Sequence, residues 1–347
     1  MNTRRRALNT TAALAGIFAL AACSATSGQT DEASGGATDG TSSTSRSETD
    51  EVTYLTSFNT FGRDAYVYVA SEKGYFEEAG IDVTIQPGSG TVDVMKLVAS
   101  GSADFGTGDF STVVVTVANE DLPVTTVGVI HQKSLAAIVT LGDRGIAEPT
   151  DLEGKQIGDQ PGSTNEVIFP TYAAAAGLDP ATVEFVPAAP PALPQLLVSG
   201  QVDGIGQFVV GEPLIAAAAS GKDVVVLPYG DVLPELYGNV LVTSEELAGS
   251  DPELVSRFTE ALLKGLEYSI ENPEETGEIL KKYQPTQDAD VAATEVELMA
   301  PYVDVDGTDI GAIDQARVQS VIDIMAPALE TEIAPADVVD FDLAPGE

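Results

Sequence analysis

The stretch "SEKGYFEEAGIDVTIQPGSGTVDVMKLVASGSADFGTGD", Ser71 to Asp109, decides how this chain of 347 residues is read. It opens on a helical run that Gly74 interrupts and Gly80 stops. "IDVTIQPG" follows as a strand. "TVDVMKLVASG" then sets Val92, Met95, Val98 and Ala99 on one helical face, with Thr91 as its cap and Gly101 as its end. "ADFGTGD" closes the unit as a short strand whose Asp104 is placed to tie down its loop. The unit carries no obvious nucleophile or acid–base pair. Its turns instead gather small residues and free backbone N–H groups.

The same alternation extends in both directions. "EVTYLTSF" reads as a strand and "GRDAYVYVASE" as a helix before the unit; "STVVVTVANED" reads as a helix and "LPVTTVGVI" as a strand after it. Alternating β and α elements predict an α/β fold with mostly parallel strands covered by helices. Ligands of such sheets sit beyond the carboxyl ends of the strands. The turns there are "SFNTFG", "PGSG" and "GTGD", which makes Phe58, Asn59, Phe61, Arg63, Asp64, Tyr66, Gly88, Ser89 and Asp109 candidate ligand-binding residues. Thr91 and Ser111 open helices whose positive ends suit a polar ligand.

The grammar then repeats. "MKLVASGSADFG" and "PQLLVSGQVDGIG" both read helix, Ser-Gly turn, Asp, short strand. Two related lobes follow, with residues 51–140 and 238–347 in lobe I, residues 141–237 in lobe II, and hinge crossings at Thr140 and Val240. Lobe II adds Gly162, Ser163 and Thr164 from the glycine loop "QPGST", and Phe208, Glu212 and Tyr237 from the loops after its strands. Leu254, Phe258, Leu262, Leu266 and Ile270 are spaced for one buried helix face.

Composition narrows the function. Hydrophobic residues make up 44% of the chain, enough for real cores, and the net charge of -38 repels the phosphates of nucleic acid. Acids spread along the chain with few lysines suggest a surface suited to salt. Residues 1–22 carry Arg4, Arg5 and Arg6 before "ALNTTAALAGIFALAA", the pattern of an export signal with an apolar run too short for a stable span. "LAAC" resembles the lipobox of bacterial lipoproteins, which implies cleavage before Cys23 and its acylation. Residues 23–50 are then a lipidated cysteine and a Ser/Thr/Gly-rich tether. Cys23 is the one cysteine, so the mature chain has no disulfide and no other thiol.

"GYFEEAGIDVTI", "LVASGSADFG", "DLEGKQIGDQPGST", "LLVSGQVDGI" and "DPELVSRFTEALLKGLEYSIENPEE" together resemble the periplasmic solute-binding proteins of ABC importers. More narrowly they are similar to the family of aliphatic sulfonate, taurine and nitrate binders and of thiamine-precursor pyrimidine binders. The resemblance implies a two-lobed type II periplasmic-binding-protein fold that closes on a small solute and delivers it to permease subunits. It also implies an extracytoplasmic, membrane-anchored, monomeric receptor without a cofactor or metal. "VDGIGQFVVGEP" resembles the pyrimidine-binding branch, and the aromatics with a carboxylate suit a flat heterocycle bearing an amine. A sulfonate, taurine or nitrate is the alternative, with Arg63 facing the anion; Arg63 in a surface ion pair is the bland reading. Glu212 is read either as the ligand's carboxylate or as a complement to a helix N-terminus. The chain's one histidine, His131, stands at a strand end, as a cleft contact or a structural residue. No nucleotide loop or metal-cage spacing occurs. The expectation is therefore a binding protein and not an enzyme, with a pyrimidine-synthesising enzyme of the same fold as the remote alternative.

Overall fold

The computed structural model describes residues 49–305 and 307–346. The export signal, Cys23 and the tether up to residue 48 lie outside the described residues. The strands are β1 (Asp50–Leu55), β2 (Phe58–Asn59), β3 (Ile81–Gln86), β4 (Gly88–Ser89), β5 (Phe105–Asp109), β6 (Val124–Val129), β7 (Ala136–Leu141), β8 (Gln156–Asp159), β9 (Glu184–Pro187), β10 (Gly204–Phe208), β11 (Val224–Pro228) and β12 (Asn239–Ser244). They form two five-stranded sheets, ordered β3-β1-β5-β12-β6 in lobe I and β11-β7-β10-β8-β9 in lobe II, while β2 and β4 pair in a small ribbon. Each large sheet is mixed: β12 runs antiparallel to β5 and β6, and β7 antiparallel to β10 and β11, with the other pairs parallel. The antiparallel strand is in each case the one that enters a lobe from the other. It arrives from the opposite side of the cleft, and so against the local strand direction.

The chain therefore changes sheets between β6 and β7 and again between β11 and β12. Thr140 and Val240, expected at the crossings, lie inside β7 and β12 and are fully buried. "LAAIVTL" is a continuous apolar strand in the middle of its sheet, so its composition gives no sign of where the crossing ends.

The helices follow the sequence pattern closely. Gly74 and Gly80 both adopt left-handed backbone, at φ of 78° and 74°, and delimit the short helix Tyr75–Glu78. The helix Thr91–Ala99 has Gly90, not Thr91, at its N-cap; Thr91 Oγ1 instead accepts from the Asp109 N–H at 3.1 Å. Asp109 caps the next helix, Phe110–Glu120, by accepting from the Thr112 N–H at 3.2 Å, which places Ser111 inside that helix. Asp104 does tie its loop down, accepting from the Thr53 N–H at 2.7 Å.

Lobe I is held by the helix Pro252–Glu271. Leu254, Phe258, Leu262 and Leu266 are buried, while Ile270 is half-buried near the helix end. Phe258 stacks on Phe105 at 4.0 Å between ring centroids and on Phe76 at 5.1 Å. Gly265 lets this helix meet the helix Tyr66–Glu72: a Cβ there would stand 2.5 Å from the Tyr66 carbonyl oxygen and 2.7 Å from Ala70 Cβ. Alanine normally stabilises a helix interior relative to glycine by about 1 kcal/mol. Here the clash with backbone outweighs that gain, so Gly265→Ala is expected to destabilise by about 1–3 kcal/mol. Thermal unfolding checks this, and a melting temperature at or above wild type contradicts the close approach.

Candidate functional site

The carboxyl ends of both sheets face a cleft of about 840 Å³, its mouth included, lined from lobe I and lobe II.

On the lobe I wall, the turn Gly62–Asp64 presents Phe61 and Arg63. The turn is seated on the helix Ala289–Val303, where Glu295 Oε2 accepts from the Gly62 N–H at 2.6 Å. Arg63 is 4% exposed; its Cζ lies 4.8 Å from the ring centroid of Phe61 and 4.8 Å from that of Phe208 in lobe II. Its Nη2 donates to the Phe58 carbonyl at 3.2 Å, and its Nε stands 3.8 Å from Asp64 Oδ2 without a hydrogen bond. Asn239 completes this wall, donating from Nδ2 to Ser57 Oγ at 3.1 Å.

On the lobe II wall, Gly162, Ser163, Thr164 and Asn165 open the helix Thr164–Ala175 toward the cleft. Gly162 takes a φ of 73°, and Ser163 caps the helix by accepting from the Glu166 N–H at 3.1 Å. Ser163 Oγ donates to Asp159 Oδ2 at 2.6 Å. Gly206 makes room for that carboxylate, since a Cβ there would fall 1.9 Å from Asp159 Oδ2. The two walls touch directly: Thr112 Oγ1 donates to Thr164 Oγ1 at 3.2 Å, and Gln160 Nε2 to the Ser89 carbonyl at 3.4 Å. The lobes are thus closed on one another.

Of the residues expected from the sequence, the cleft gathers Phe58, Phe61, Arg63, Gly162, Ser163, Thr164 and Phe208. The others stand elsewhere. Asn59 is exposed in a left-handed turn at φ 52°, and Ser89 sits at the rim with its carbonyl on Gln160. Gly88 is where β4 presses on the Thr56 carbonyl, which leaves no space for a side chain. Asp64 and Asp109 are buried anchors of backbone N–H groups. Tyr66 is a core residue whose hydroxyl meets that of Tyr54 at 3.1 Å. Tyr237 is buried against Phe110 and Arg317, its hydroxyl accepting from the Asp314 N–H at 3.1 Å. Glu212 is exposed at the start of the helix Glu212–Ala218 and is not part of the cleft lining. His131 is buried one layer below the cleft: its Nδ1 accepts from the Asn239 N–H at 3.3 Å, and burial lowers its pKa to about 3, so the ring is neutral.

The residues that sequence reasoning missed are the acids and amides of the walls: Asp159, Gln160, Glu295, Asn165, Gln207 and Asn239. Burial pushes Glu295 up to about 7, against the opposing pull of Arg63, and Asp159 up to about 6, against the Ser163 hydrogen bond. Two carboxylates, one per lobe, therefore face a cleft in which Arg63 is the only cationic side chain among the described lining residues.

A family model described as "NMT1/THI5 like" matches residues 63–276, which include residues of both walls but not Phe58, Phe61 or Glu295. The chain belongs to the NMT1/THI5-like family. Its relatives include a formylaminopyrimidine-binding protein of Halalkalibacterium halodurans, 29% identical over 77% of this chain and 76% of the relative. A riboflavin-binding protein of Chloroflexus aurantiacus is 30% identical over 68% of this chain and 67% of its own length. A solved alkanesulfonate-binding protein from Xanthomonas axonopodis superposes with a TM-score of 0.69 at 15% identity, over 84% of this chain and 99% of that one, which shows the shared type II periplasmic-binding-protein fold. The NMT1/THI5-like family also contains enzymes. A 4-amino-5-hydroxymethyl-2-methylpyrimidine phosphate synthase of Aspergillus parasiticus is 27% identical over 65% of this chain and 68% of the relative. This corrects the expectation that the chain is not an enzyme: sequence kinship to synthases removes the ground for that exclusion.

The buried carboxyls set a pH dependence. Glu295 releases its proton near 4.5 in the unfolded chain and near 7 in the folded one. The stability linked to it is complete below about 4.5 and is lost as pH rises through 7. Asp109, Asp159 and Asp64, raised to about 7, 6 and 6 by burial, act in the same direction. Melting temperature is expected to fall between pH 5 and pH 8, and by less in Glu295→Gln than in wild type. An equal fall in both proteins contradicts a protonated Glu295.

Proposed function

We propose that this small-molecule-binding member of the NMT1/THI5-like family captures a flat amino-heterocycle of the pyrimidine type between its lobes. The observation that carries the reading is the pairing of Glu295 and Asp159, one carboxylate from each lobe, with the aromatic rings of Phe61 and Phe208 in the same cleft. Aromatic faces hold a planar ring, and a buried carboxylate accepts from its exocyclic amine in a charge-assisted hydrogen bond. A sulfonate or nitrate needs several donors and meets here two acids and one guanidinium. The relatives named for formylaminopyrimidine and riboflavin, both flat heterocycles, support the same class. The export signal and Cys23 extend the proposal to a lipid-anchored, monomeric receptor on the extracytoplasmic face of the membrane. Its partner there is the permease of an ABC importer, which receives the solute when the lobes open.

Titration calorimetry with 4-amino-5-hydroxymethyl-2-methylpyrimidine and with taurine tests the reading. Wild type binds the pyrimidine and not taurine. Glu295→Ala weakens the pyrimidine at least tenfold, since deleting one partner of a buried charged hydrogen bond costs about 2–5 kcal/mol. Glu212→Ala, at an exposed position, changes it less than twofold. Tight binding of taurine with indifference to the pyrimidine overturns the ligand class.

A further inference from the structure

We propose that Arg63 is a specificity-determining residue, whose guanidinium edge receives a neutral oxygen acceptor carried by the bound ring. The inference rests on the amino-heterocycle reading of the cleft.

Phe61 from one lobe and Phe208 from the other both lie against the guanidinium, each with its centroid 4.8 Å from Cζ. With rings on it, the group offers a ligand its N–H edge rather than its faces. That edge is incompletely used. Nη2 donates to the Phe58 carbonyl at 3.2 Å, whereas Nε has no hydrogen bond and Nη1 donates to no group among the described residues. A guanidinium that is 4% exposed and lines a cleft with an unused donor is incompletely satisfied, and an acceptor on the solute completes it.

The surrounding charge decides which acceptor. Asp64 Oδ2 stands 3.8 Å from Nε, and the Glu295 carboxylate holds the adjacent Gly62 N–H at 2.6 Å. Asp159 lines the opposite wall. Arg63 already has the Asp64 carboxylate beside it, so an anionic acceptor competes with that counter-charge and a hydroxyl or carbonyl oxygen does not. The wall then presents an acceptor at Glu295 and a donor at Arg63 to one ring. That pattern selects an amino-heterocycle bearing an oxygen substituent over the same heterocycle without it. A site built to hydrogen-bond such a group rejects the analogue lacking it strongly, because its own polar group is left unpaired.

The test compares two probes that differ by one oxygen, 4-amino-5-hydroxymethyl-2-methylpyrimidine and 4-amino-2,5-dimethylpyrimidine, by titration calorimetry. Wild type is expected to prefer the hydroxymethyl probe at least tenfold. Arg63→Met is expected to bind both probes within twofold of one another. Arg63→Gln, whose planar amide keeps an N–H between the rings, restores part of the preference. Equal binding of the two probes by wild type overturns the role of Arg63 while leaving the amino-heterocycle reading intact. So does a full preference retained in Arg63→Met. Failure of wild type to bind either probe overturns both. Should Arg63→Met fail to fold, as thermal melting reveals, the wild-type comparison and Arg63→Gln decide.

Discussion

The hydrogen bond from the Gly62 N–H to Glu295 Oε2 joins residues 233 positions apart and fixes the wall on which the site is built. Only glycine fits at position 62, because a Cβ would stand 2.4 Å from the Ala292 carbonyl oxygen. The turn is thereby pressed onto the helix Ala289–Val303, and the side chains on either side of Gly62 take their places from it. Phe61 supplies an aromatic face and Arg63 a counter-charge to Glu295. Losing the bond would leave a buried N–H without a partner, at a cost of about 1–3 kcal/mol. The arrangement therefore ties the late helices to the first loop of the chain.

Closure rests on a second constraint. The sheets are joined by two crossings, and polar contacts bridge the cleft at Thr112 on Thr164 and Gln160 on the Ser89 carbonyl, with Arg63 against Phe208. Apolar packing joins the lobes as well: Val209 and Val210 of lobe II share a buried cluster with Val296 and Met299 of lobe I.

Much of this was legible in the sequence, for physical reasons. Alternating periodicity fixes element type, and the Ser-Gly turns reveal the repeat, so two α/β lobes can be read directly. Glycine loops after strands point to Gly162, Ser163 and Thr164, and the aromatic and basic residues after β1 point to Phe61 and Arg63. The acids of the cleft were not legible. Glu295 lies mid-helix in "ATEVELM", where local pattern gives a solvated face, and only the tertiary contact with Gly62 buries it. Asp159 ends β8 one residue before the glycine loop. Glu212 and Tyr237 lie near strand ends in the sequence, but the turn Val209–Gly211 separates Glu212 from the strand that carries Phe208, and Tyr237 is drawn into the core by Phe110 and Arg317. Kinship to synthases is likewise invisible to an argument from absent catalytic groups, which tests single chemical routes and not the family.

The central claim is that the cleft is built for a flat amino-heterocycle. It is tested most directly by mass spectrometry of the small molecule released from the full chain after purification from its native cells under non-denaturing conditions. The account predicts a heteroaromatic compound carrying an amine. A sulfonate or nitrate released in stoichiometric amount would contradict it.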